Sequence, residues 1–129
     1  MQPEPLPFAK LMGVTIVSVG PDLVVGELTV RDDLCTRPAV LHGGATMAFA
    51  DTIGAVATVA NLPDGMTTTT IESKTNFFSA IPLGDTARAE CSALHKGRTT
   101  MVWQTKITRG DGKLAALVTQ TQLVMPMKI

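Results

Sequence analysis

The sequence predicts an α+β domain in which a curved antiparallel β-sheet wraps around one long central helix. Three observations lead there. The run from Gly43 to Asn61 reads as a single helix with apolar residues on every face, a pattern that belongs to a helix buried on nearly all sides. Strand chemistry occupies two segments before that run and four after it. There is no second long helix to cover a sheet, so the sheet must close around the one available.

Residues 1–7 carry three prolines and predict an extended arm, followed by one helical turn over Phe8 to Met12. Gly13 to Val19 and Leu23 to Val30 are rich in β-branched residues and flank the turn signal Gly20-Pro21-Asp22, which predicts a hairpin. Asp32 to Val40 reads as an irregular loop, because a residue before proline, here Arg37, is biased away from helix. The helix then runs from Gly43 until Pro63-Asp64-Gly65 stops it. Met66 to Phe78, Thr86 to His95, Thr99 to Thr108 and Leu114 to Val124 follow as strands, with turns at Pro82-Leu83-Gly84-Asp85, Lys96-Gly97-Arg98 and Gly110-Asp111-Gly112. In the second of these, Ala87, Ala89, Cys91 and Ala93 alternate with Arg88, Glu90 and Ser92, which marks one buried and one wet face.

At 129 residues the chain is the size of one domain, so residues 1–129 are read as one unit. Apolar residues make up 45% and charged residues 17%, which excludes a disordered chain. Eleven basic and eleven acidic residues balance to zero without a basic stripe, so a nucleic-acid partner is not expected. Neither a signal peptide nor a membrane-spanning run is visible, and a soluble cytoplasmic protein is the expectation. Cys35 and Cys91 lack metal or redox spacing and are read as reduced thiols; no metal site and no bound cofactor are expected.

Between Arg37 and Asp64 the only formally charged side chain is Asp51, in the middle of the apolar helix. A carboxylate placed among apolar groups requires a compensating partner. Just before the helix stands His42-Gly43-Gly44. Glycines let a ligand approach the backbone, and the N–H groups of a helix's first turn favour an oxygen bearing negative charge. Gly43 and Asp51 are eight residues apart, ~12 Å along a helix axis, so they cannot meet one carbonyl from the same helix. Two antiparallel copies of the helix would bring the glycine of one beside the acid of the other, which makes a homodimer part of the expected site.

The runs LHGGATMAFADTIGAVATVAN, TTTTIESKTNFFSAIPLGD and HKGRTTM resemble the hotdog thioesterases of the PaaI-like and 4-hydroxybenzoyl-CoA thioesterase (Arthrobacter-type) group, from Phe8 nearly to the end of the chain. The resemblance implies the hotdog fold and hydrolysis of an acyl-coenzyme A thioester, with coenzyme A entering only as part of the substrate. It implies that Asp51 acts as nucleophile or general base, that the Gly43 N–H polarises the carbonyl, and that His42 orders the loop. The family hydroxyl held close to the acid of the other subunit maps to Thr70, with Thr68 as the substitute on the same strand face. Gly44 and the basic turn Lys96, Gly97, Arg98 are carried over as substrate-binding, the turn for the coenzyme A phosphates; Lys74 and Arg109 are further candidates for these. The chain departs from the family at Thr36, where Asn or Gln is usual and helps to place substrate or water; Arg37 stands next to it.

Dimers pairing into a tetramer are also implied. Phe8, Met12, Met47, Phe49, Phe77, Phe78 and Trp103 are candidates for the acyl pocket, and aryl and medium-chain acyl groups both remain open. A hydratase of related fold would carry a His five residues after the acid, where this chain has Val56. The remaining alternative is a non-catalytic acyl-CoA-binding or regulatory domain.

Overall fold

Residues 6–128 are described in the structure, a computed structural model. A short helix α1 (Pro7–Met12) leads into strands β1 (Thr15–Val19) and β2 (Leu23–Thr29), then the long helix α2 (Gly43–Val59), and strands β3 (Met66–Phe77), β4 (Thr86–Lys96), β5 (Thr100–Thr108) and β6 (Leu114–Pro126). Residues 1–5 of the expected arm lie outside the described range; Leu6 is extended, as expected, and Pro7 already opens α1, where its fixed φ and missing N–H suit a first helical turn. The expected loop after β2 contains a 3-10 turn, Asp32–Leu34.

The six strands form one antiparallel sheet in the order β1-β2-β4-β5-β6-β3, and α2 contacts every strand. This is the predicted hotdog architecture. The crossover follows from chain order: β2 ends beside β4 and β3 lies at the far edge against β6, so the chain between β2 and β3 must cross the sheet face, and α2 makes the crossing. Ile53 and Phe49 of α2 are fully buried against Val24, Leu28, Trp103 and Val118, each such side chain contributing roughly 1.5–3 kcal/mol. Two glycines let the helix sit this close. A Cβ on Gly26 of β2 would overlap Ile53, and one on Gly54 of α2 would overlap the side chain of Gln120 on β6.

The expectation of a helix buried on nearly all sides is corrected. Gly44, Met47 and Val59 are exposed, and Ala48, Asp51 and Ala55 are half-buried. These residues recur at helical spacing, so an open stripe runs along α2 in the single chain. The apolar character that suggested full burial reflects a face that the chain's own sheet does not cover.

Candidate active site

Asp51 lies on that open stripe, one turn beyond Ala48. Its Oδ1 accepts a hydrogen bond from the Thr70 hydroxyl at 2.7 Å and a longer one from Gln120 Nε2 at 3.3 Å. The compensating partners are therefore neutral donors, with no cation in the set. Thr70 is delivered by β3, where the register with β6 shifts between Thr70 and Glu72, leaving Ile71 as a bulge. A bulge reverses strand alternation and re-aims neighbouring side chains: Thr68 and Thr70 face the helix side before it, Ser73 and Thr75 after it. The Thr70 to Asp51 bond is made within one chain, where the resemblance implied a hydroxyl beside the acid of the other subunit. Thr68 does not reach Asp51. Its hydroxyl lies 2.9 Å from Gln122 Oε1 and 2.8 Å from the Leu123 carbonyl, and Gln122 Nε2 in turn donates to Thr70 Oγ1 at 2.7 Å.

At the other end of the stripe His42 is the N-cap of α2, and its Nδ1 accepts the Gly44 N–H at 2.8 Å. An imidazole nitrogen that accepts carries no proton, so a neutral His42 has its proton on Nε2, directed away from the helix. Loop ordering by His42 thus takes the form of a helix cap. Because Gly44 is engaged in that cap, Gly43 is the glycine whose N–H meets no acceptor among the described residues. Cavities lie on both sides of this helix start. One of about 510 Å³ runs between α1 and α2, walled by Phe8, Leu11, Met12, Leu34, Ala45 and Ala48. The other, about 350 Å³, is bordered by Gly43, Phe77, Phe78 and Ile81. Neither is lined by Asp51, and within one chain the structure does not bring Gly43 and Asp51 together.

Thr36 is exposed and shares a more polar cavity of about 460 Å³ with Arg37 and His42, so both loop candidates stand beside the helix start. The basic turn is elsewhere. Lys96, Gly97 and Arg98 join β4 to β5 near the C-terminal end of α2, in a cavity shared with Asn61 and Pro63. Lys96 Nζ is paired with Asp22 at 2.7 Å, and the Gly97 N–H closes the turn onto the Thr100 carbonyl at 2.8 Å. Of the two cations, Arg98 is the one with no ion pair among the described residues. Lys74 donates to Asn76, and Arg109 is tied to Asp111 and the Ala80 carbonyl. Among the aromatic and Met candidates, Phe49 and Trp103 are fully buried core residues, whereas Phe8 and Met12 line the larger cavity and Phe77 and Phe78 the smaller.

The residues that sequence reasoning passed over are Gln120 and Gln122, both buried. Their signal was available: on β6, Ala116, Val118, Gln120, Gln122 and Val124 alternate onto one face, and two amides stand there among apolar side chains.

The profile of the thioesterase superfamily matches residues 39–116, and the chain belongs to that superfamily. Among relatives, the proofreading thioesterase EntH of Cronobacter sakazakii is 30% identical over 79% of this chain and 74% of its own length. A thioesterase structure from Haemophilus influenzae superposes with a TM-score of 0.87 at 27% identity, covering 92% of this chain and 82% of that one. AziG of S. sahachiroi, at 23% identity, shares the fold with a TM-score of 0.90 over 96% of this chain and all of its own, 100%. The protein is accordingly a hydrolase of thioesters. Among the described residues no helix is long and apolar enough to cross a membrane.

Proposed function

We propose that the protein hydrolyses an acyl-coenzyme A thioester, with Asp51 as the reacting carboxylate and the Gly43 N–H as oxyanion donor. The observation that carries the reading is the Asp51 carboxylate, held at Oδ1 by Thr70 and Gln120 on a stripe of α2 that the chain leaves open. Either Oδ2 attacks the carbonyl carbon and a mixed anhydride forms as the C–S bond breaks, or the carboxylate takes a proton from the water that attacks. In both routes the sulfur leaves as a thiolate and takes up a proton; the water route frees the acid directly, whereas a mixed anhydride is cleaved by a water molecule in a second step that frees the acid and restores the Asp51 carboxylate. The negative oxygen of the tetrahedral state is met by a preorganised N–H, worth on the order of 3 kcal/mol.

Since one chain separates donor and acid, the complete site requires two copies with their α2 helices antiparallel. Two features support that dimer. The open stripe includes Met47, 38% exposed, and β3 is a twelve-residue edge strand carrying Ile71 at 55% exposure and Phe77 at 54%. A long edge strand with unpaired backbone groups is a surface that pairs with another strand. Further pairing into a tetramer belongs to the same reading, as does a cytoplasmic location. The larger cavity, opening beside Gly44 and running to Ala48, suits the acyl group, and Thr36, Arg37 and Arg98 are candidates for the rest of the substrate.

Thiol release from a panel including benzoyl-CoA and hexanoyl-CoA tests the proposal. Asp51→Asn should fold normally and lose about 10²–10⁴-fold in kcat; full activity in that variant ends it. A second reading rests on Thr36, which lacks the paired donor and acceptor of an amide: a non-catalytic acyl-CoA-binding domain would bind these thioesters without releasing thiol.

A further inference from the structure

We infer that Gln120 and Gln122 are positioning residues that saturate one oxygen of Asp51 and leave Oδ2 as the reacting atom. This rests on the reading of Asp51 given above. A separation of 2.7 Å between Thr70 Oγ1 and Asp51 Oδ1 needs the hydroxyl proton between the two oxygens. Thr70 has one proton to give, so its other close neighbour, 2.7 Å away on Gln122, must be a donor. That orients the Gln122 amide, whose Oε1 then faces the Thr68 hydroxyl at 2.9 Å. The donor chain runs one way, from Gln122 through Thr70 to Asp51.

Gln120 approaches the same Oδ1 from β6 with its own N–H. Its position is costly. The side chain is fully buried, its Oε1 has no partner among the described residues, and α2 carries glycine at position 54 where any Cβ would strike it. An unsatisfied buried acceptor destabilises a fold, and a leucine would fill the same space without one. An amide kept there at the expense of stability is accounted for by its single directed contact, which is with Asp51.

Kinetics of hexanoyl-CoA and benzoyl-CoA hydrolysis, read together with melting temperature, separate positioning from packing. Gln120→Leu is expected to melt at or above the wild-type temperature while kcat falls roughly tenfold to a hundredfold with KM within about twofold. A structural role predicts the opposite pairing, lower stability with kcat preserved, and that result overturns the inference. Gln122→Met and Thr70→Val should each lower kcat, and the double variant should be no slower than the slower single, because Gln122 acts through Thr70. Multiplying losses would count against the chain, whereas Thr70→Ser, which keeps the hydroxyl, should restore turnover. A crystal structure of Gln120→Leu gives a readout that needs no turnover. The Asp51 carboxylate should rotate from its present contact with Thr70, and an unchanged carboxylate with unchanged kcat defeats the proposal. Asp51→Asn distinguishes the two levels: if it is inactive while Gln120→Leu is wild-type, the hydrolase reading stands and only the positioning role falls.

Discussion

Asp51 could be singled out from the sequence because charge is conspicuous: it is the sole ionisable side chain in a long apolar stretch, and physical chemistry demands a partner for it. The partners themselves were harder to see. Thr70 stands in a run of four threonines, any of which suits a strand, and Gln120 and Gln122 are uncharged residues on a strand that also holds Thr119 and Thr121. Which hydroxyl meets the acid depends on a bulge at Ile71 that no local rule places. The cysteines give a prediction at this scale. Burial in the core pushes the Cys91 thiol up to about 11. A raised value in the folded state favours the protonated form, so this contribution to stability is complete at neutral pH and declines as pH rises from about 9 towards 11. The melting temperature should therefore fall over that interval, and Cys91→Ala should flatten the fall; equal slopes in the two proteins would show that the thiol is not responsible.

The two ends of α2 behave as the sequence implied at the start and differently at the finish. His42 as N-cap and Gly43 as first helical residue follow from local chemistry, since an N-cap side chain needs only an acceptor within reach of the next turn. The helix ends at Val59, before the expected Asn61, and Asn61 instead donates to the Pro21 and Ala57 carbonyls. The first turn offers a clean test of the oxyanion role. His42 is extended, with φ −61° and ψ 138°, a conformation that a following proline accepts, and the first position of a helix tolerates proline. Gly43→Pro should thus keep helix content by circular dichroism while removing the N–H, lowering kcat by about 10²–10³-fold. Gly43→Ala keeps the N–H and separates loss of the donor from loss of the glycine. Wild-type kcat in Gly43→Pro would place the oxyanion elsewhere.

At the scale of the whole molecule the open stripe on α2 and the long edge strand β3 give the proposed dimer its most direct test. If each site takes Gly43 from one copy and Asp51 from the other, a mixed dimer of Asp51→Asn and Gly43→Pro chains contains one site with both groups intact. Two nearly inactive preparations, unfolded and refolded together in equal amounts, should then recover about a quarter of wild-type activity. Mixtures no more active than their parents would mean that each chain builds its site alone.

Fold class, strand order along the chain, the acid and the helix cap were determined by the sequence itself, because each depends on periodicity or on contacts within a few residues. The pairing of β3 with β6, the meeting of Thr70 and the two glutamines around Asp51, and the stripe left open on α2 were decided only by tertiary structure. They depend on register and close approach between segments as many as 69 residues apart, as in the bond from Gln120 to Asp51. Side-chain periodicity identifies the face a residue occupies, whereas its opposite number is set by how the whole sheet closes on the helix.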